Sequence, residues 1–150
     1  MRPDLDELLA SIRRALVEFV APEVSSVYAR TELTYALSLL AALSRETGDA
    51  AAELMAENAA LRRLLGESGA RLAGSGIDAE LLRDLENAGK GAATDVTLPA
   101  LRAEAAGLFD LLVRLQAACE EAPGADARAV YADTVAFLRK RVDRQSGVRR

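Results

Sequence analysis

Residues 98–119, LPALRAEAAGLFDLLVRLQAAC, decide the fold. Leu101, Ala105, Leu108, Phe109, Leu112, Leu115 and Cys119 recur at spacings of three and four, which places them on one face of an α-helix. Pro99 stands in the first turn, where its missing N–H costs nothing, and Pro123-Gly124 ends the segment. The same period extends over most of the chain. No run of four to eight β-branched or aromatic residues alternates as a strand does, so the sequence predicts an all-α helical bundle of five main helices plus one short helix.

Outward from that helix, the spacing predicts helix six from about Asp126 to Gln145, with Val130, Tyr131, Thr134, Phe137, Leu138 and Val142 as its stripe. Upstream, Asp4 with Glu7 forms an aspartate version of the capping box for helix one. Leu5, Leu8, Leu9, Ile12, Ala15, Leu16 and Phe19 share a face of that helix, and Pro22 stops it near Val20. Helix two starts at Ser25 or Ser26 and ends before Gly48, a left-handed cap. It carries two apolar stripes, Ala29, Leu33, Ala36, Leu40 and Leu43 on one side and Tyr28, Tyr35, Leu39 and Ala42 on the next. A helix apolar around most of its girdle is central to a bundle or contributes to an oligomer interface. Helix three is capped by Asp49, carries Leu54, Met55, Asn58, Leu61 and Leu65, and stops at Gly66. Glycines at 66, 69, 74, 76, 89 and 91 then bracket the short helix from Asp78 to about Asn87 and read as a flexible connector over 66–97. Short connections at Gly48 and Pro123-Gly124 predict antiparallel pairs two–three and five–six. The 150 residues are read as one domain with a basic tail at 139–150, long enough to form a core without a metal or disulfide.

Composition excludes several mechanisms. The chain has no His and one Cys, so Ser-His-Asp and Cys-His catalysis and His-containing metal sites cannot be built from it alone. A di-metal carboxylate bundle wants Glu-x-x-His on its helices, and no cofactor or metal is expected. The longest apolar stretch, Tyr35 to Leu43, falls far short of the ~20 residues of a membrane span, and the first residues do not read as a secretory signal. Seventeen Arg against two Lys, with abundant Ala, suggest a GC-rich bacterial genome and a cytoplasmic address.

Three clusters carry chemical potential. Tyr28, Glu32 and Tyr35 share a face beside Arg30; a carboxylate between two phenols in a buried setting can transfer protons or hold a ligand. The plainer reading has Glu32 paired at the surface and the tyrosines packing their rings. Leu54, Asn58 and Leu61, with Leu39 on helix two, are interface candidates, because an amide on a heptad-spaced seam can set register and partner number. Equally, Asn58 can be hydrogen-bonded within the bundle. The tail from Arg139 to Arg150 holds six basic residues and one acid, whereas the other 138 residues hold 13 basic and 22 acidic. Such a tail can attract phosphate-rich partners, but it lacks aromatics for base stacking, so nucleic acid is disfavoured as a partner.

Arg2-Pro3, Glu7-Leu8-Leu9, Ile12-Arg13, Leu16, Pro22, Tyr28-Ala29-Arg30, Ala36-Leu37 and the run from Asn58 to Gly66 give the chain a resemblance to a family of small all-helical bacterial proteins. Its genes lie beside those of acyl-CoA dehydrogenases and aminoglycoside-phosphotransferase-like kinases. The resemblance implies no activity and carries over no catalytic residue. It implies a partner class, enzymes of acyl-CoA or acyl-phosphate metabolism. Together these readings give the expectation of a non-catalytic, self-associating helical accessory protein, with a dimer as its simplest form. The alternatives are a ligand-binding or enzymatic site at Tyr28, Arg30, Glu32 and Tyr35, and weak nucleic-acid or anionic-ligand binding by the basic tail.

Overall fold

The computed structural model describes residues 5–146, with side chains to Arg144. It contains helices α1 (Leu5–Ala15), α2 (Val27–Arg71), α3 (Ala79–Lys90), α4 (Leu98–Glu121) and α5 (Ala125–Ser146), and no strand among the described residues. The fold is an all-α bundle. After α1 the chain widens into a π turn at Leu16–Val20 and tightens into a 3-10 turn at Ala21–Glu23; Ala21 keeps helical dihedrals (φ −56°, ψ −39°) despite Pro22, so the stop expected near Val20 falls later, the backbone becoming extended only at Val24. Asp4, the expected cap of α1, lies outside the described residues.

The largest departure from the sequence reading is at Gly48. Helices two and three are one continuous helix, α2, of 45 residues, about 68 Å long at 1.5 Å per residue. Neither Gly48 nor Gly66 adopts the left-handed conformation a cap requires; among the described residues the positive-φ positions are Gly74, Gly76 and Gly124. A glycine inside a helix costs only about 1 kcal/mol relative to alanine, and good helix formers on both sides of Gly48 carry the helix through. The Thr47 hydroxyl donates to the Leu43 carbonyl at 2.8 Å, so its polar group is satisfied within the helix. Asp49 caps nothing and is exposed. The antiparallel pair expected across Gly48 does not form.

The other helix starts fall where their residues dictate. Ser26 caps α2, its side chain accepting from the Ala29 N–H at 3.4 Å. The Asp78 carboxylate caps α3, accepting from Leu81 N–H at 3.0 Å. Thr97 precedes α4 with Pro99 in the first turn.

The core begins at Leu61. Leu61, Leu65 and Leu72 from α2 and its end, Leu81 and Leu85 from α3, Leu108, Leu112, Leu115 and Cys119 from α4, and Ala127 and Val130 from α5 form one buried cluster. The C-terminal half of α2 and the three later helices therefore make a four-helix bundle. Helix α3 runs antiparallel along α2 at close range: a Cβ on Gly66 would lie 2.8 Å from the Gly89 Cα, and one on Gly69 would lie 3.0 Å from the Leu85 Cβ. These three glycines, expected to loosen a connector, are instead helix-packing surfaces that bring two backbones together. Helix α4 lies along α2 in the same direction and α5 in the opposite one, with Arg71 bonded to Asp133 at 3.0 Å and Arg114 of α4 tied to Asp84 of α3 at 2.8 Å. Thr134 is buried on α5, accepting from Gln116 at 3.0 Å and donating to the Tyr131 carbonyl at 2.7 Å.

Ahead of this bundle, α1 and the first half of α2 form a two-helix arm. Only Leu9 of α1 is buried.

Candidate functional site

Three regions hold the side chains that sequence reasoning singled out or that geometry brings together. The first is the arm. Helix α1 packs on α2, and the stripe Ala29, Leu33, Ala36 and Leu40 of α2 is half-buried, while Leu43 remains exposed. The second stripe is open except at the half-buried Ala42: Tyr28 is 75% exposed, Tyr35 64% and Leu39 50%. Leu5, Leu8, Ile12, Val17, Phe19 and Val20 are also exposed. Arg30 and Glu32 face solvent as well. The Arg30 Nε donates to the Val24 carbonyl at 2.9 Å, tying down the turn before α2. Tyr28, Glu32 and Tyr35 share a helix face as their spacing requires, but on open solvent. The buried carboxylate–phenol chemistry considered for them needs desolvation that this chain by itself does not supply.

The second region is a polar knot between α2 and α4. Asn58 is fully buried; its Nδ2 donates to the Leu101 carbonyl at 2.9 Å and to Glu104 Oε2 at 3.1 Å. Both neighbours are acceptors, which fixes the orientation of the amide, and its Oδ1 has no hydrogen-bond partner. One turn on, the buried Arg62 donates through Nε to Glu104 Oε1 at 2.8 Å and adds a second bond through its terminal nitrogen. Asn58 and Leu61 are thus occupied inside their own bundle, and Leu54 is half-buried. This corrects the expectation that Asn58 and Leu61 form an interface: the seam they occupy is filled by α4. Leu39 alone of the four interface candidates is exposed.

The third region was not foreseen. Ala50, Leu54, Ala56, Glu53 and Glu57 of α2, Leu98 and Arg102 of α4, and Arg141 and Arg144 of α5 line a cleft of about 620 Å³. Glu57 pairs with the Nε of Arg141, whose guanidinium lies 4.3 Å from the centre of the Phe109 ring. Held by a carboxylate at one edge and a π-face on one side, Arg141 is fixed in place. Arg102 and Arg144 are exposed and form no ion pair with any described residue. The signal available in the sequence was the excess of arginine at 139–150, but the joining of two of those residues to Arg102, some forty positions away, depends on helix packing. Arg149 and Arg150 lie outside the described residues.

Cys119 is buried among leucines, and that burial pushes its thiol above the usual range, which keeps it protonated and poorly nucleophilic. Among the described residues no three His, Cys, Asp or Glu side chains gather as a metal site, and no helix is long and apolar enough to cross a membrane. Compared with family models, curated proteins and solved structures, the chain matches none.

Proposed function

We propose that the chain is a non-catalytic helical interaction protein that self-associates through its N-terminal arm and serves as an accessory to a bacterial metabolic enzyme. One observation carries the self-association: of the fifteen large apolar side chains exposed among the described residues, eleven lie between Leu5 and Leu43. Two helices in one layer cannot bury two apolar faces, and a second layer is the ordinary solution. With exposed areas on the order of 100 Å² each, these side chains present roughly 1,000 Å², against about 800 Å² per partner in a stable interface. A second copy is the occupant that fits. Two such arms packed face to face complete a four-helix bundle, and the arm's charges are mixed, with six acids and four arginines over residues 5–47, as a surface meeting itself by two-fold symmetry requires.

The test is mass in solution by light scattering over a wide dilution series. The wild-type chain is expected to dimerise, and Leu39→Glu or Tyr35→Lys to give a monomer of unchanged helical content. A wild-type protein monomeric at every concentration overturns the reading. The accessory role takes its partner class from the resemblance, enzymes of acyl-CoA or acyl-phosphate metabolism. It is tested by co-purification of such an enzyme with the wild-type chain.

A further inference from the structure

The cleft between α2, α4 and α5 has a composition that neither the arm nor the polar knot explains. Its lining combines aliphatic Ala50, Leu54, Ala56 and Leu98 with three guanidinium groups and two carboxylates. One carboxylate, Glu57, is committed to Arg141, and that guanidinium is further held by Phe109. Arg102 and Arg144 bring two more forks of donors to the same opening from different helices, with only Glu53 opposing them. Exposed arginines ordinarily pair with acids; here Arg102 and Arg144 line the same cleft as four aliphatic side chains. The volume is within the range of small-molecule sites, which combine an apolar lining with a few placed polar groups.

We infer that this cleft binds a small organic oxyanion, a phosphate or carboxylate joined to an aliphatic portion, with Arg102 and Arg144 gripping the anion and Leu54 and Leu98 receiving the apolar part. Guanidinium forks match the paired oxygens of both head groups, and charge-assisted bonds of this kind are about twice as strong as neutral ones. The fixed Arg141 sets the shape of the opening. Leu98, the first residue of α4, lines the cleft, and the Thr97 side chain forms no cap bond to the N–H groups behind it, although the Asp95 carboxylate, accepting from the Thr97 N–H at 2.9 Å, offsets the field of that helix start. Glu53 is the opposing charge and limits affinity. The site shares no residue with the apolar face of the arm, so its occupancy and self-association are separable.

Titration calorimetry of the full chain at low salt with hexyl phosphate, hexanoate and inorganic phosphate tests the inference. At least one of the two amphiphilic anions is expected to bind one per chain, more tightly than inorganic phosphate. The double variant Arg102→Ala/Arg144→Ala is expected to lose about tenfold or more in affinity, from the loss of charge-assisted bonds. Glu53→Gln should bind a few-fold more tightly, a gain that no folding defect can imitate. Preference for hexyl phosphate identifies a phosphate ligand and preference for hexanoate a carboxylate. Leu39→Glu, which prevents pairing of the arm, should bind as the wild type does. Absence of binding by both amphiphiles, or binding that the double arginine variant leaves unchanged, overturns the inference.

Discussion

Residues 27–47 and residues 58–71 belong to the same helix, α2, but they have different neighbours. In the second stretch Asn58, Leu61, Arg62, Leu65, Ser68 and Gly69 are buried, within the part of α2 that packs with the later helices. In the first stretch nothing is fully buried, although it carries the more apolar sequence. Apolar composition alone therefore does not locate a core. The second stretch offers small residues at the crossing with α3 and leucines toward the other helices, so three neighbours pack on it. The first carries two adjacent stripes and has only α1 to cover one of them.

The strongest way to break this contrast is to cut the same kind of side chain in each half. Leu65→Ala removes a fully buried side chain from the cluster and is expected to cost about 2–5 kcal/mol in urea unfolding. Leu39→Ala, on the uncovered stripe, should cost no more than about 0.5 kcal/mol in dilute protein. If the arm pairs with a second copy, that smaller loss grows with protein concentration, because association stabilises the folded chain by mass action. A Leu39→Ala cost equal to that of Leu65→Ala at high dilution would erase the distinction between the halves.

Next in size is the knot at the inner end of the contrast. Glu104→Ala leaves the Arg62 guanidinium without its carboxylate and Asn58 with only the Leu101 carbonyl. A loss of about 1–3 kcal/mol is expected, the penalty of stranding buried donors. Asn58→Ala in the Glu104→Ala background should add less than it costs alone, since the two share a bond. Additive losses in thermal or urea melts would show that the knot does not act as a unit.

The sequence made the helices and the α4 stripe legible because periodicity is a local property. Every residue of that stripe is buried except Phe109, which is half-buried. Helix starts at Ser26, Asp78 and Thr97 were legible for the same reason, each being set by one side chain or one proline within a turn. Gly48 was misread because a glycine marks permission to leave the helix and not a command; whether the chain leaves depends on a local balance of about 1 kcal/mol. The polar knot was half legible: Asn58 was marked as a polar residue on an apolar seam, but its acceptors, Leu101 O and Glu104, are more than forty residues away. The arginine cleft was not legible, since Arg102 and Arg144 line one cleft only because α4 runs parallel and α5 antiparallel to α2. Tyr28, Glu32 and Tyr35 were correctly placed on one face, but their burial depends on what lies beyond that face, which one chain's spacing does not encode.

Two of the three glycines of α2, Gly48 and Gly66, give the finest test, because one substitution should act with opposite sign in the two halves. A Cβ at Gly66 would stand 2.8 Å from the Gly89 Cα, so Gly66→Ala must push two backbones apart, at a cost of about 1–3 kcal/mol. At Gly48 a Cβ meets nothing within 4 Å. There Gly48→Ala is expected to stabilise the chain by about 0.5–1 kcal/mol, by raising helix propensity and restricting the unfolded chain. Both values come from urea melts followed by circular dichroism, with Gly66→Ala and Gly48→Ala measured beside the wild type. The sign at Gly48 carries more than its size: a helix that broke there, as a left-handed cap would, could not accept alanine without strain. A loss on Gly48→Ala would therefore restore the break between two helices and with it the antiparallel pair that the sequence suggested, whereas a gain requires the uninterrupted α2 that carries the arm away from the bundle.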